Sequence, residues 1–214
     1  MIDLRTSRAR DRRWRRTYSL AVAVSTIMPV SAMAQARAED ALISQLRQGG
    51  FVLVMRHASS PRERPTKKIA NPDNTTLERQ LDEAGRRGAT TMGVALRALH
   101  IPIGNVWTSP TYRGRETVRL AGLPAPSAVD ELGDGGQSMQ GVTDVQAEWL
   151  RAKASEAPTS GNVLLVTHLP NLSRAFPDWG STVADGEVVV LRPNGRGGSD
   201  VVGHIPIERW GELE

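Results

Sequence analysis

The sequence predicts an α/β protein: a three-layer sandwich in which helices flank a mainly parallel central sheet, with an antiparallel hairpin added at its C-terminal edge. Three observations lead there. Two apolar runs, "FVLVMR" from Phe51 and "NVLLVTH" from Asn162, lack the polar alternation of a half-exposed strand, the pattern of strands covered on both faces. Strand-like and helix-like stretches alternate through the residues between them. The chain then closes on "GEVVVLRPNGRGGSDVVGHIPI", two strand-like runs joined by a Gly-rich turn.

In chain order, "AEDALISQLRQGG" reads as a short amphipathic helix stopped by Gly49-Gly50, and "FVLVMR" as the first buried strand. "SSPRERPTKKIANPDNTT" is a polar, proline-punctuated loop. A helix follows from about Asp82 to Leu99, because Leu81, Gly85, Ala89, Met92, Leu96 and Leu99 recur at spacings of four and three and form one buried stripe. "IPIGNVWTSP" supplies a short strand around Asn105 to Thr108, "TYRGRETVRLAG" a helix ending at Gly122, and "DVQAEWLRAKASE" another helix before the second buried strand. His100, at a helix C-terminus, and His204, in the hairpin, read as structural, and Trp107, Trp149, Trp179 and Trp210 as packing residues.

Charge divides the chain unevenly. The first 34 residues hold seven Arg against Asp3 and Asp11, which leaves 20 basic and 21 acidic residues in the remainder. The overall pI near 10.1 thus reflects the N-terminus and does not support a nucleic-acid partner. The arginine-rich "RARDRRWRR", the interrupted apolar "TYSLAVAVSTIMPV" and the small residues of "SAMAQA" have the layout of an export signal cleaved before Gln35. The expectation is residues 1–34 as signal peptide and 35–214 as one domain, periplasmic or secreted, without a stable membrane anchor once cleaved. "RRTYSL" is an imperfect twin-arginine pattern, so the export route stays open. With no Cys, no disulfide is possible.

Three predicted strand ends carry reactive or cationic side chains. The first ends in Arg56-His57, the second in Ser109-Pro110 with Arg113 in the next helical turn, and the third in His168. In α/β sheets ligands bind outside the carboxyl ends of strands, so neighbouring strands would bring two imidazoles and two guanidiniums into one pocket. Such a pocket suits a phosphoryl group, since arginine offers paired donors to phosphate oxygens and histidine can accept phosphorus covalently.

These placements resemble the histidine phosphatase superfamily, of phosphoglycerate-mutase-like fold. Arg56-His57-Ala58 stands where the family has Arg-His-Gly. Ser109, Pro110, Arg113 and Thr117 match its Ser-Pro-x-x-Arg-x-x-x-Thr helix start, and His168 its late histidine. "LERQLDEAGRRGA" is similar to the family's linker helix. The resemblance implies a phosphomonoesterase acting on a small phosphorylated substrate, with no metal and no cofactor. His57 would be the nucleophile that forms a phosphohistidine, and Arg56, Arg113 and His168 would hold the phosphoryl oxygens. Ser60 stands where many members place a phosphate-touching Thr. In many members a carboxylate after the second signature protonates the leaving oxygen. In "VDELGDGG" the favoured match is Glu131, with Asp134 close behind. Arg62, Arg64, Lys67 and Lys68 read either as a solvated loop or as a loop from which one or two of them, Arg62 first, grip an anionic substrate outside the reactive phosphate. A mutase-type phosphotransferase and a non-catalytic phosphate-binding member are the alternatives. Ala58 departs from the family pattern and would strain the backbone only if its φ were positive.

Overall fold

The computed structural model describes residues 30–61, 78–134 and 141–213, with the side chains of the first helix from Arg37 onward. Most of the expected export signal lies outside the described residues, as do Arg62, Arg64, Lys67 and Lys68. Helix α1 (Val30–Gln48) starts earlier than the amphipathic stretch from Ala38. Strand β1 (Val52–Arg56), helix α2 (Glu83–Ala98), strand β2 (Ile103–Thr108) and helix α3 (Tyr112–Leu120) follow. Next come the short strand β3 (Ser127–Ala128), a 3-10 turn (Asp130–Leu132), helix α4 (Asp144–Ala154) and strand β4 (Asn162–Thr167). Helix α5 (Leu169–Ala175) leads to the hairpin β5 (Val188–Pro193) and β6 (Ser199–Ile205), and a 3-10 turn (Ile207–Glu212) follows.

The six strands form one sheet in the order β3-β2-β4-β1-β5-β6. The first four are parallel, and β5 and β6 join as the expected antiparallel edge. Alternate residues of the central strands feed two separate cores, as a strand's period of two requires. Leu53, Met55, Leu164 and Val166 pack under α1, α2 and α3, whereas Val52, Val54, Val163 and Leu165 pack under α4 and α5. The α2 stripe read from the sequence is buried throughout, and Trp210 is fully enclosed in the first core. Among the described residues no helix is long and apolar enough to cross a membrane.

Register is what builds the site. Arg56 pairs with Thr167 and Thr108 with Val166, so β1, β4 and β2 end at one level. The chain then leaves the sheet with the His57 amide donating to Thr167 O (3.0 Å) and the Ser109 amide to Val166 O (3.0 Å). The turn after β1 is clamped from outside by the start of α2. The Ser59 hydroxyl donates to the Asp82 carboxylate (2.6 Å), the Asp82 amide donates to Ser59 O (3.1 Å), and Asp82 caps α2 by accepting from the Gly85 amide (2.7 Å). The hydrogen bond from Ser59 holds the Asp82 carboxyl below its ordinary value. A Cβ at Gly85 would stand 2.1 Å from Ser59 O, so only glycine lets the helix approach this closely.

Ala58 does not need glycine's freedom. Among the described non-glycine residues only His100 has a positive φ (56°). Ala58 instead buries its methyl group in the first core and donates its amide to Thr117 Oγ1 (3.1 Å). His100 follows α2 with that left-handed backbone, its amide donating to Arg97 O (3.0 Å). His204 lies on β6 with its Nδ1 2.8 Å from Glu187 Oε1.

Candidate active site

The shared strand ends bring four of the expected side chains together. His57 and His168 are buried with ring centroids 5.0 Å apart, and Arg113 reaches both from the first turn of α3. Arg113 Nε donates to His57 Nε2 (3.2 Å), while its NH2 group lies 3.1 Å from His168 Nδ1 and donates to Asp134 Oδ2 (2.6 Å). Arg56, at the tip of β1, donates to Val183 O (3.0 Å) and pairs with Asp185 (2.6 Å). The loop between α5 and β5 therefore holds Arg56 in place.

These contacts fix the imidazole tautomers. His57 Nδ1 lies 2.8 Å from its neighbour's carbonyl, Ala58 O, which can only accept, so Nδ1 carries the hydrogen. Nε2 is left with a lone pair facing Arg113. In His168 the order is reversed. Nδ1 accepts from Arg113, and Nε2 donates to Ser109 Oγ (2.7 Å). Burial, first of all, holds both rings well below the ordinary imidazole value. Repulsion from Arg113, and from His168 whenever that ring is protonated, adds to this at His57, and Arg113 and Arg79 add to it at His168. Both rings are therefore neutral, and His57 Nε2 presents an unprotonated, oriented lone pair.

Arg79, just ahead of α2, completes the cluster and was not singled out in the sequence. Its guanidinium comes to 3.5 Å from His57 Nε2, and its Nε is buried with no hydrogen-bond partner. Burial and the nearby Arg113 hold it below its usual value. Arg56 and Arg113 each have a carboxylate partner, whereas no described carboxylate lies within ion-pair distance of Arg79. Among the described residues, three guanidiniums thus face two carboxylates around a pair of neutral imidazoles, an excess of positive charge suited to an anion. The sequence signal for Arg79 was its place three residues before the Asp82 cap. That mattered only once the cap was seen to rest on the Ser59 turn.

The two candidate carboxylates separate clearly. Asp134 Oδ2 sits on Arg113 and 3.5 Å from His168 Nδ1. Glu131, favoured over Asp134 from the sequence, lies in the 3-10 turn, where its backbone oxygen accepts from Asn171. No contact joins its carboxylate to His57, Arg113 or His168. Of the two carboxylates, only that of Asp134, three residues on, contacts the cluster among the described residues. Ser60 is buried in the turn beyond His57.

No family model matches the sequence, and no curated protein sequence matches it. Solved structures do share its architecture. The protein histidine phosphatase SixA complexed with tungstate matches with a TM-score of 0.55 and 18% identity, over 74% of this chain and 98% of that one. A protein described as a SixA phosphohistidine phosphatase from Agrobacterium tumefaciens gives 0.51 and 17%, covering 73% and 98%. A phosphoserine phosphatase mutant from Entamoeba histolytica, in complex with phosphoserine, gives 0.50 and 10%, covering 74% and 98%. The six-stranded sheet, with its shared strand ends and antiparallel edge, is thus a fold this chain shares with solved histidine phosphatase structures.

Proposed function

We propose that this chain is an exported phosphomonoesterase that hydrolyses a phosphate ester or phosphoramidate through a phosphohistidine on His57. The observation that carries this reading is the His57 ring: it is buried and neutral, with its Nε2 lone pair directed at Arg113 and Arg79. Neighbours of the same fold described as phosphohistidine and phosphoserine phosphatases support it. In the first step the Nε2 lone pair attacks phosphorus in line, forming a P–N bond as the bond to the leaving group breaks. Asp134, displaced from Arg113 by the incoming phosphoryl oxygens, takes up the proton of the monoanionic substrate and gives it to the leaving atom. In the second step water attacks phosphorus and passes a proton to the Asp134 carboxylate. The P–N bond breaks, inorganic phosphate departs, and the Nε2 lone pair is restored. Arg56, Arg79, Arg113 and His168 hold the three non-bridging oxygens and the charge they gather in the transition state. This chemistry needs no metal ion, because the guanidiniums supply the positive charge.

The test is direct. Enzyme mixed with a ³²P-labelled phosphomonoester and quenched within milliseconds should carry acid-labile, base-stable label on His57. Full turnover with no such label would sink the covalent route, and no turnover on any phosphomonoester or phosphoramidate would leave a phosphate-binding module instead.

Arg79→Ala is expected to weaken competitive inhibition by inorganic phosphate about ten- to a hundredfold, the worth of a charge-assisted hydrogen bond. An unchanged inhibition constant would place Arg79 outside the phosphate site. Export rests on the sequence of residues 1–34. Protein recovered from the periplasm or medium of an expressing bacterium should begin at Gln35, and an intact N-terminus there would contradict cleavage.

A further inference from the structure

Side chains from β4, α4 and α5 hold the segment that delivers Asp134 by its backbone carbonyls. Thr167 Oγ1 donates to Leu132 O (2.8 Å), and the Leu132 side chain is fully buried in the second core. Gln146, in the first turn of α4, donates through Nε2 to Asp130 O and to Gly133 O (both 3.0 Å). Asn171 donates through Nδ2 to Glu131 O (3.2 Å) and to Gly133 O (2.8 Å). The Gly133 carbonyl, one peptide ahead of Asp134, therefore accepts from two side-chain amides at once.

Asn171 is the more telling of the two. It is fully enclosed, and its Oδ1 is buried without a hydrogen-bond partner. An unsatisfied buried amide oxygen is unfavourable, and a leucine of similar volume would pack here without that cost. The amide instead commits both Nδ2 hydrogens to the carbonyls flanking Leu132. Its place in the fold gives this a use. Asn171 lies three residues after His168 and so one turn along α5, on the element that also sets the His168 ring against Arg113. A single short helix thereby fixes both a phosphate ligand and the backbone that presents the acid.

We propose that Asn171 is a positioning residue for proton donation, holding the Gly133 carbonyl so that the Asp134 carboxylate stays over the leaving-group side of the phosphoryl pocket. This rests on the reading of Asp134 as the acid. A merely structural Asn171 would lower stability and slow all substrates alike. A positioning Asn171 slows esters in proportion to their need for a proton.

The experiment measures kcat for aryl phosphates with good and poor leaving groups in wild type, Asn171→Leu, Asp134→Asn and the double variant. Asn171→Leu should lose about ten- to a hundredfold on poor leaving groups and only a few-fold on good ones, as expected for a misplaced reacting group. In the double variant the two losses should not add, because the acid is already absent. Equal losses across leaving groups, or fully additive losses, would overturn the proposal. If Asp134→Asn alone shows no dependence on the leaving group, the acid reading fails first and the proposal falls with it. Gln146→Glu covers the case in which Asn171→Leu does not fold. It keeps the oxygen that caps α4 at Thr143 but removes both donors to the loop. It should show the same leaving-group selectivity in weaker form, and a uniform loss would count against the proposal.

Discussion

Phosphate release by a His57→Ala chain is expected to fall at least about a thousandfold, the scale on which loss of a covalent nucleophile is felt when the charge-stabilising groups stay in place. The variant should still fold, since alanine leaves β1 and its pairing with Thr167 untouched, and it should still bind inorganic phosphate through its arginines. Retained binding with lost turnover therefore separates nucleophile from ligand. The pH profile carries a second signature. A basic group held below its ordinary value stays unprotonated as pH falls through that value. Burial, His168 and Arg113 act on His57 in this direction. The acid limb of kcat/KM should accordingly lie below the range of a free imidazole. A limb at the free-imidazole midpoint would mean that His57 does not meet substrate as the buried, neutral base described above.

Asp134→Asn is expected to have opposite effects on two measurements. Turnover of esters with poor leaving groups should drop by about 10²- to 10⁴-fold, the usual contribution of a general acid, while esters that leave without a proton should be affected far less. Inorganic phosphate should bind more tightly. In the resting site the Asp134 carboxylate occupies Arg113 at 2.6 Å, where a phosphoryl oxygen would otherwise sit, and an amide competes for a guanidinium far less strongly than a carboxylate does. Slower turnover with unchanged or weaker phosphate binding would show that Asp134 does not stand in the phosphate's place. The matched change at Glu131 should leave both measurements near wild type.

The parts of this protein that could be read from its sequence are those in which one local pattern decides the structure. Continuous apolar runs marked β1 and β4, a stripe at helical spacing marked α2, and His57, Arg113 and His168 were placed by their positions at element ends. Helix α5 left no such trace. It has only seven residues, with a proline near its start, so no periodicity develops before it ends. The choice between Glu131 and Asp134 depended on a three-residue 3-10 turn, whose direction is set by contacts from Thr167, Gln146 and Asn171 on other elements. Arg79 stood in a charged stretch where an arginine is unremarkable. Its place beside His57 follows from the packing of Asp82 and Gly85 against Ser59, a contact across the loop that no local pattern encodes.

The alignment of three strand ends also bears on how the molecule folds. Val52 pairs with Val163 across 111 residues, and β2 reaches β1 only through β4 lying between them. Loop-closure entropy of this size must be met before any of these pairings is rewarded, which makes such sheets slow to form. An intermediate that has paired only its local elements, such as the β5–β6 hairpin, contains no half-built pocket. His57, Arg113 and His168 meet only when the central sheet is whole, so catalytic competence and the native topology arrive in one event.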